Sequence, residues 1–181
     1  MLAYVFWHWP SPDVGTDAYE QLQQDFQRAL ADAAPAGFRR SVVFRVDGGA
    51  PWLGGGPAYA DWYLLDGSAA LDPLNVAAVS GGCQEPHDRA ARAASAGVGS
   101  LLALHGEHAD VPAARHMAWL AKPKGMPYAD FYAALESVRG SLWRRQMVLG
   151  PTPEFGILSG EPIDVPGTFE AIDLRVSPIG P

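Results

Sequence analysis

The histidines carry the widest chemical reach in this sequence. His8 follows Tyr4 and Phe6 at a spacing of two within the apolar run from Leu2 to Trp9, so on a strand all three share one face. An imidazole against aromatic walls can act as a general base or as a haem ligand, although a histidine near a strand end is also a common structural residue. His87 follows Glu85-Pro86 at a helix start. There the helix dipole disfavours its cation, and a neutral imidazole can polarise a ligand oxygen or simply bond backbone. His105, Glu107, His108 and His116 are metal-ligand types in one stretch. Their spacing fits no helical metal motif, and Gly106 and Pro112 mark a connector, so no metal is expected.

Other motifs exclude chemistry. Cys83 is the single cysteine, which rules out an internal disulfide or a thiolate zinc site, and no base lies near it in sequence. The Gly54-Gly55-Gly56 run is flanked by prolines and lacks a following Lys-Ser/Thr, so it is not a phosphate loop. No Gly-x-Ser-x-Gly nucleophile elbow occurs. A net charge of −7 repels phosphate backbones and argues against nucleic acid.

These residues need elements to hold them. With 48% hydrophobic and 18% charged residues over 181 positions, the chain suits a globular core. Leu2 to Trp9 reads as a strand buried on both faces and stopped by Pro10, not as a signal peptide or a membrane span. Asp17 to Ala33 reads as a helix with Tyr19, Leu22, Phe26 and Leu30 on one stripe, and Asp17 with Glu20 resembles a capping box. Strands are expected at Arg39 to Val46 and Tyr59 to Leu65, broken helix at Ser68 to Ser80, helix at Pro86 to Ala96, and a strand at Ser100 to His105. The pattern then restarts with strand His116 to Ala121, helix Pro127 to Val138, and strands Leu142 to Leu149, Phe155 to Leu158 and Phe169 to Val176.

The restart predicts a tandem repeat, with a first unit over 1–108 and a shortened second over 109–181. Pro10, Asp17, Tyr19 and Leu22 match Pro123, Asp130, Tyr132 and Leu135 at one offset (123 − 10 = 113). Arg39-Arg40 matches Arg144-Arg145, and Asp61 to Gly67 matches Glu154 to Gly160. On this alignment His8 falls opposite Ala121, and the helix carrying His87 has no counterpart. The paired arginines are expected at a salt-bridged rim, and the repeated Tyr19 and Tyr132 as core residues with the hydroxyl at the edge.

Two βαββαβ-type units resemble the dimeric α+β barrel superfamily, which is ferredoxin-like and includes antibiotic-biosynthesis monooxygenases, muconolactone isomerases and stress-responsive A/B-barrel proteins. The Glu85-Pro86-His87-Asp88 segment is similar to a Pro-x-His element found there. The resemblance implies an α+β fold of duplicated ferredoxin-like βαββ(α)β units, with two antiparallel sheets packed as a barrel within one chain. It also implies a small apolar or aromatic ligand between sheet and helices. His8 and His87 are then the candidate catalytic groups, and Tyr4, Phe6, Trp62 and Tyr63 the candidate ligand-binding residues, with the six tryptophans suggesting an aromatic-lined pocket. Three readings stay open: a cofactor-independent monooxygenase- or isomerase-like enzyme, a non-catalytic assembly module with a filled core, and a haem-binding variant with His8 or His87 as axial ligand. The expected protein is cytoplasmic, a monomer or weak homodimer, without membrane or nucleic-acid partners. Any pocket is expected in the first unit.

Overall fold

The computed structural model describes residues 1–53, 56–106, 109–147 and 150–180. Eight strands run antiparallel around one closed barrel: β1 (Leu2–Pro10), β2 (Phe38–Asp47), β3 (Ala58–Leu65), β4 (Ala94–His105), β5 (His116–Leu120), β6 (Ser141–Gln146), β7 (Phe155–Ser159) and β8 (Ala171–Ile179). Their order around the wall is β1-β3-β2-β8-β5-β7-β6-β4. The two expected sheets are therefore joined along both edges, through β2·β8 and β4·β6. Joining leaves no open edge, which satisfies backbone groups that two separate sheets would expose. Four α-helices pack outside: α1 (Thr16–Ala33), α2 (Leu71–Ala78) and α3 (Gln84–Ala93) against the first half, and α4 (Tyr128–Leu135) against the second. No helix is long and apolar enough to cross a membrane among the described residues.

Several boundaries move. α3 ends at Ala93 rather than Ala96, and β4 starts at Ala94 rather than Ser100. Ala94 to Ala96 is expected in the helix, but the backbone from Ala94 to Gly99 pairs with β1, Val98 opposite Trp7 and Ala96 opposite Trp9, which occupies an edge β1 would otherwise leave open. α3 also begins two residues early, so Pro86 is its third residue. α4 stops at Leu135, and β8 runs from Ala171 to Ile179. α1 has no side-chain cap; Glu20 instead accepts from Tyr59 Oη and Arg45, each at 3.1 Å. The Leu149 end of the expected sixth strand, Gly54-Gly55, Glu107 and His108 lie outside the described residues.

Strand alternation sorts the side chains. Val5, Trp7, Phe44, Trp62, Leu102, Met117, Trp119 and Trp143 fill the barrel interior. The indoles meet edge-to-face, Trp7 with Trp119 at 5.6 Å and Trp62 with Trp143 at 5.3 Å, while Trp52 packs edge-on to Trp7 at 5.1 Å. The tryptophans thus form a packed core rather than the wall of a ligand pocket.

Register fixes how the halves correspond. Across the first half Val98, Trp7, Ala60 and Phe44 form one row, and across the second Ile172, Trp119, Gly156 and Trp143 form the same row. Trp7 therefore stands opposite Trp119 (119 − 7 = 112), one residue away from the expected offset. The expected offset would place inward Trp7 on outward Leu120. A one-residue slip exchanges the faces of a strand, so the aromatic matches that suggested it cannot superpose. The offset of 112 also holds into the helices: buried Tyr19 and Gln23 fall on buried Phe131 and Leu135.

Candidate functional site

The outer face of the first-half wall carries the even residues of β1 and the odd residues of β3, namely Tyr4, Phe6, His8, Asp61 and Tyr63. α1, α2 and α3 stand off this face and enclose a cavity of about 750 Å³. That volume suits a drug-sized molecule. The remaining walls are mostly apolar, with Phe26 and Leu30 from α1, Leu74 and Ala78 from α2 and Ala90 from α3, and with Gln23, Asp72, Asn75 and His87 as polar interruptions.

The floor holds a connected polar chain. His8 is 1% exposed and Asp61 2%. His8 Nε2 lies 2.8 Å from Asp61 Oδ1. A carboxylate only accepts, so Nε2–H donates, and in that tautomer Nδ1 accepts the Tyr19 hydroxyl at 2.6 Å. Tyr63 Oη donates to Asp61 Oδ2 at 2.8 Å, and the Gln27 amide reaches the same oxygen at 3.4 Å and Tyr63 Oη at 3.2 Å. Phe6 and Tyr59 stack on the imidazole, with centroids at 5.4 and 5.6 Å. Burial, then the Asp61 charge, raises the pKa of Tyr19 and Tyr63 well above the usual tyrosine range, so both phenols hold their protons and act as donors.

Backbone geometry makes room for this floor. Gly97 and Gly99 of β4 lie beneath the rings of Phe6 and Tyr4: a Cβ at Gly97 would come within 2.3 Å of Phe6, and one at Gly99 within 2.9 Å of Tyr4. The glycines let both rings lie flat along the wall.

The structure brings His8, His87, Tyr4, Phe6 and Tyr63 to one cavity. His87 lies across it on α3, edge-on to Phe26 at 5.4 Å, with Nδ1 3.1 Å from Asp88. Trp62 is placed elsewhere: it alternates with Asp61 and Tyr63 and points into the barrel. Tyr19 is not at an edge but fully buried, and its counterpart is Phe131 rather than Tyr132. His105 stacks on Tyr132 at 4.0 Å, and His116 of β5 pairs with Ser159 of β7; His108 lies outside the described residues. Among the described residues no group of three or more His, Cys, Asp or Glu side chains could hold a metal. Both ring nitrogens of His8 are engaged, which leaves it no lone pair for a haem iron. The arginines sit at a rim: Arg39 pairs with Asp66 at 2.6 Å and Arg144 with Glu154 at 3.0 Å.

Asp61 was the residue to find. β3 is buried at every position, AYADWYLL, and a carboxylate inside such a strand is a signal in itself. At the register-equivalent positions of the second half, His8, Tyr19, Gln23, Tyr59 and Asp61 are replaced by Leu120, Phe131, Leu135, Phe155 and Ile157. Those five side chains close into an apolar cluster with Phe169. No known protein-family model matches the chain, and neither does any curated protein.

Proposed function

We propose that the chain binds a small, largely apolar or aromatic molecule in the first-half cavity and acts on it by proton transfer, as a cofactor-independent isomerase- or monooxygenase-like enzyme. Asp61 is the base, taking a proton from an acidic C–H or O–H of the ligand. His8 holds its carboxylate from one side, Tyr63 from the other, and Tyr19 fixes the tautomer of His8.

One observation carries this reading. The second half of the barrel packs Leu120, Phe131 and Ile157 at the register positions where the first half keeps His8, Tyr19 and Asp61. Packing alone does not require the polar set, because buried ion pairs are often no more stabilising than apolar residues of similar volume. A costly polar chain on the floor of a cavity points to use. The strand order supports a duplicated ferredoxin-like origin: β4-β1-β3-β2 in one half becomes β8-β5-β7-β6 in the other, and exchanging the halves leaves the cyclic order unchanged.

Two measurements test the proposal. Calorimetric titration with 2-naphthol should saturate at one site in the native protein and vanish in His8→Leu/Tyr19→Phe/Asp61→Ile, which carries the second-half residues. Deuterium exchange at the α-carbons of 2-tetralone, followed by NMR, should be accelerated by the protein and fall by about a hundredfold or more in Asp61→Asn. Binding unchanged in the triple variant, together with no exchange above buffer, refutes the reading.

A further inference from the structure

The direction of each hydrogen bond on the cavity floor decides what a ligand can present to it. The Nε2–H of His8 is already donated to Asp61, the Tyr63 hydroxyl hydrogen to the other Asp61 oxygen, and the Tyr19 hydroxyl hydrogen to His8. No hydrogen of these three side chains remains for a ligand. What this chain still offers are lone pairs, on the Asp61 carboxylate and on the Tyr63 oxygen. It accepts and does not donate, whereas Tyr4, Gln23, Asn75 and His87 elsewhere on the lining carry N–H and O–H groups.

Charge points the same way. Asp61 and Asp72 line the cavity, and neither lysine nor arginine does. The whole chain adds a formal charge of −7. A ligand carboxylate or phosphate would be desolvated against like charge without a cation to meet it.

Building on the binding role assigned to this cavity, we infer that its ligand is an aromatic molecule whose buried polar end is a hydrogen-bond donor, hydroxyl or amino, and which carries no negative charge. The donor bonds Asp61, and the ring lies along Tyr4, Phe6 and Phe26. Carboxylic acids, phosphate esters and sulfates are rejected. A hydroxyl donor is also positioned to give its proton to Asp61, which yields an aryloxide and the neutral acid with no change of oxidation state.

Four isosteric probes test the inference by calorimetry on the native protein: 2-naphthol, 2-naphthylamine, 2-methoxynaphthalene and 2-naphthoate. The naphthol and the amine should bind. The methoxy compound, which keeps shape but has no donor, should bind about tenfold or more weaker, the loss of one hydrogen bond to a charged acceptor. Naphthoate should be weaker by about thirtyfold, as expected for one like-charge pair roughly 8 Å apart at an effective dielectric near 20. Asp72→Asn, an exposed position with little bearing on folding, should recover part of the naphthoate affinity. Methoxynaphthalene and naphthoate binding as tightly as naphthol would overturn the inference while leaving the cavity as a binding site. Failure of all four probes would instead remove the binding role on which it rests.

Discussion

Replacing His8 alone should damage the protein more than replacing it together with Tyr19 and Asp61. His8→Leu leaves the fully buried Tyr19 hydroxyl without its acceptor and Asp61 without the donor at 2.8 Å. An orphaned buried hydroxyl costs about 1–3 kcal/mol, and a lost bond to a charged group about 1.5–3 kcal/mol. Together they give about 3–5 kcal/mol, the range for breaking a buried pair by removing one partner. With a urea slope of about 2 kcal/mol/M, the unfolding midpoint should fall by about 2 M. The triple variant His8→Leu/Tyr19→Phe/Asp61→Ile removes three members at once and installs side chains that already pack together as Leu120, Phe131 and Ile157. Tyr63 still accepts from the Gln27 amide at 3.2 Å but loses the Asp61 oxygen to which its own hydroxyl donates, so one buried donor is left over. The triple variant should therefore lose only about 1–3 kcal/mol, the cost of that one donor, because matched apolar replacement of a buried ionic group is otherwise near neutral. Urea titration followed by far-UV circular dichroism measures both. A His8→Leu variant as stable as the parent would refute this reasoning, as would a triple variant no more stable than the single one.

Three further outcomes follow from the same geometry. Burial raises the pKa of Tyr4, Tyr19, Tyr59 and Tyr63, so folded phenols stay protonated while unfolded ones ionise near pH 10; stability should fall as the pH rises above that point, and absorbance at 295 nm should lag behind free tyrosine until the chain unfolds. Gly97→Ala drives a Cβ into the Phe6 ring and to 2.9 Å from the Trp7 carbonyl oxygen, so it should weaken 2-naphthol binding by about tenfold or more and also lower stability through the strained β1·β4 pairing, read by calorimetry beside urea titration. Because β2·β8 and β4·β6 close the barrel within one chain, light scattering should show a monomer that persists on dilution; an obligate dimer that unfolds on dilution would contradict it.

The sequence made the aromatic face of β1 legible, because strand alternation alone puts Tyr4, Phe6 and His8 together. It also placed the fuller helical cover in the first half. The partners of His8 were not legible. Tyr19 is eleven residues away on a helix, and only the packed crossing of α1 over β1 and β3 brings its hydroxyl to the imidazole. Asp61 was visible as a buried-strand carboxylate but was matched to Glu154, a residue at a rim salt bridge. Residue types pair Pro10 with Pro123 and Tyr19 with Tyr132, whereas the barrel constrains faces. Trp62 was placed in the ligand site by its aromatic character, although its neighbours Asp61 and Tyr63 belong there and alternation then sends it inward. Small residues misled in the other direction: Ala94 to Gly99 lacks β-branched side chains except Val98, and its strand conformation comes wholly from pairing with β1.

The connector from Gly106 to Arg115 has a meaning beyond topology. Two separate but identical subunits closing such a barrel would carry every substitution twice. A change that favours a polar floor on one side would impose it on the other, and a change that hardens one wall would harden both. A covalent link between the halves removes that constraint and also sets a high local concentration of each for the other, so neither wall depends on encounter. One wall is then free to become a purely apolar buttress, Leu120 against Phe131 and Ile157, while the other carries a buried carboxylate bonded to His8. Inequality between the walls, which a symmetric pair cannot evolve, is what the tether makes available to selection.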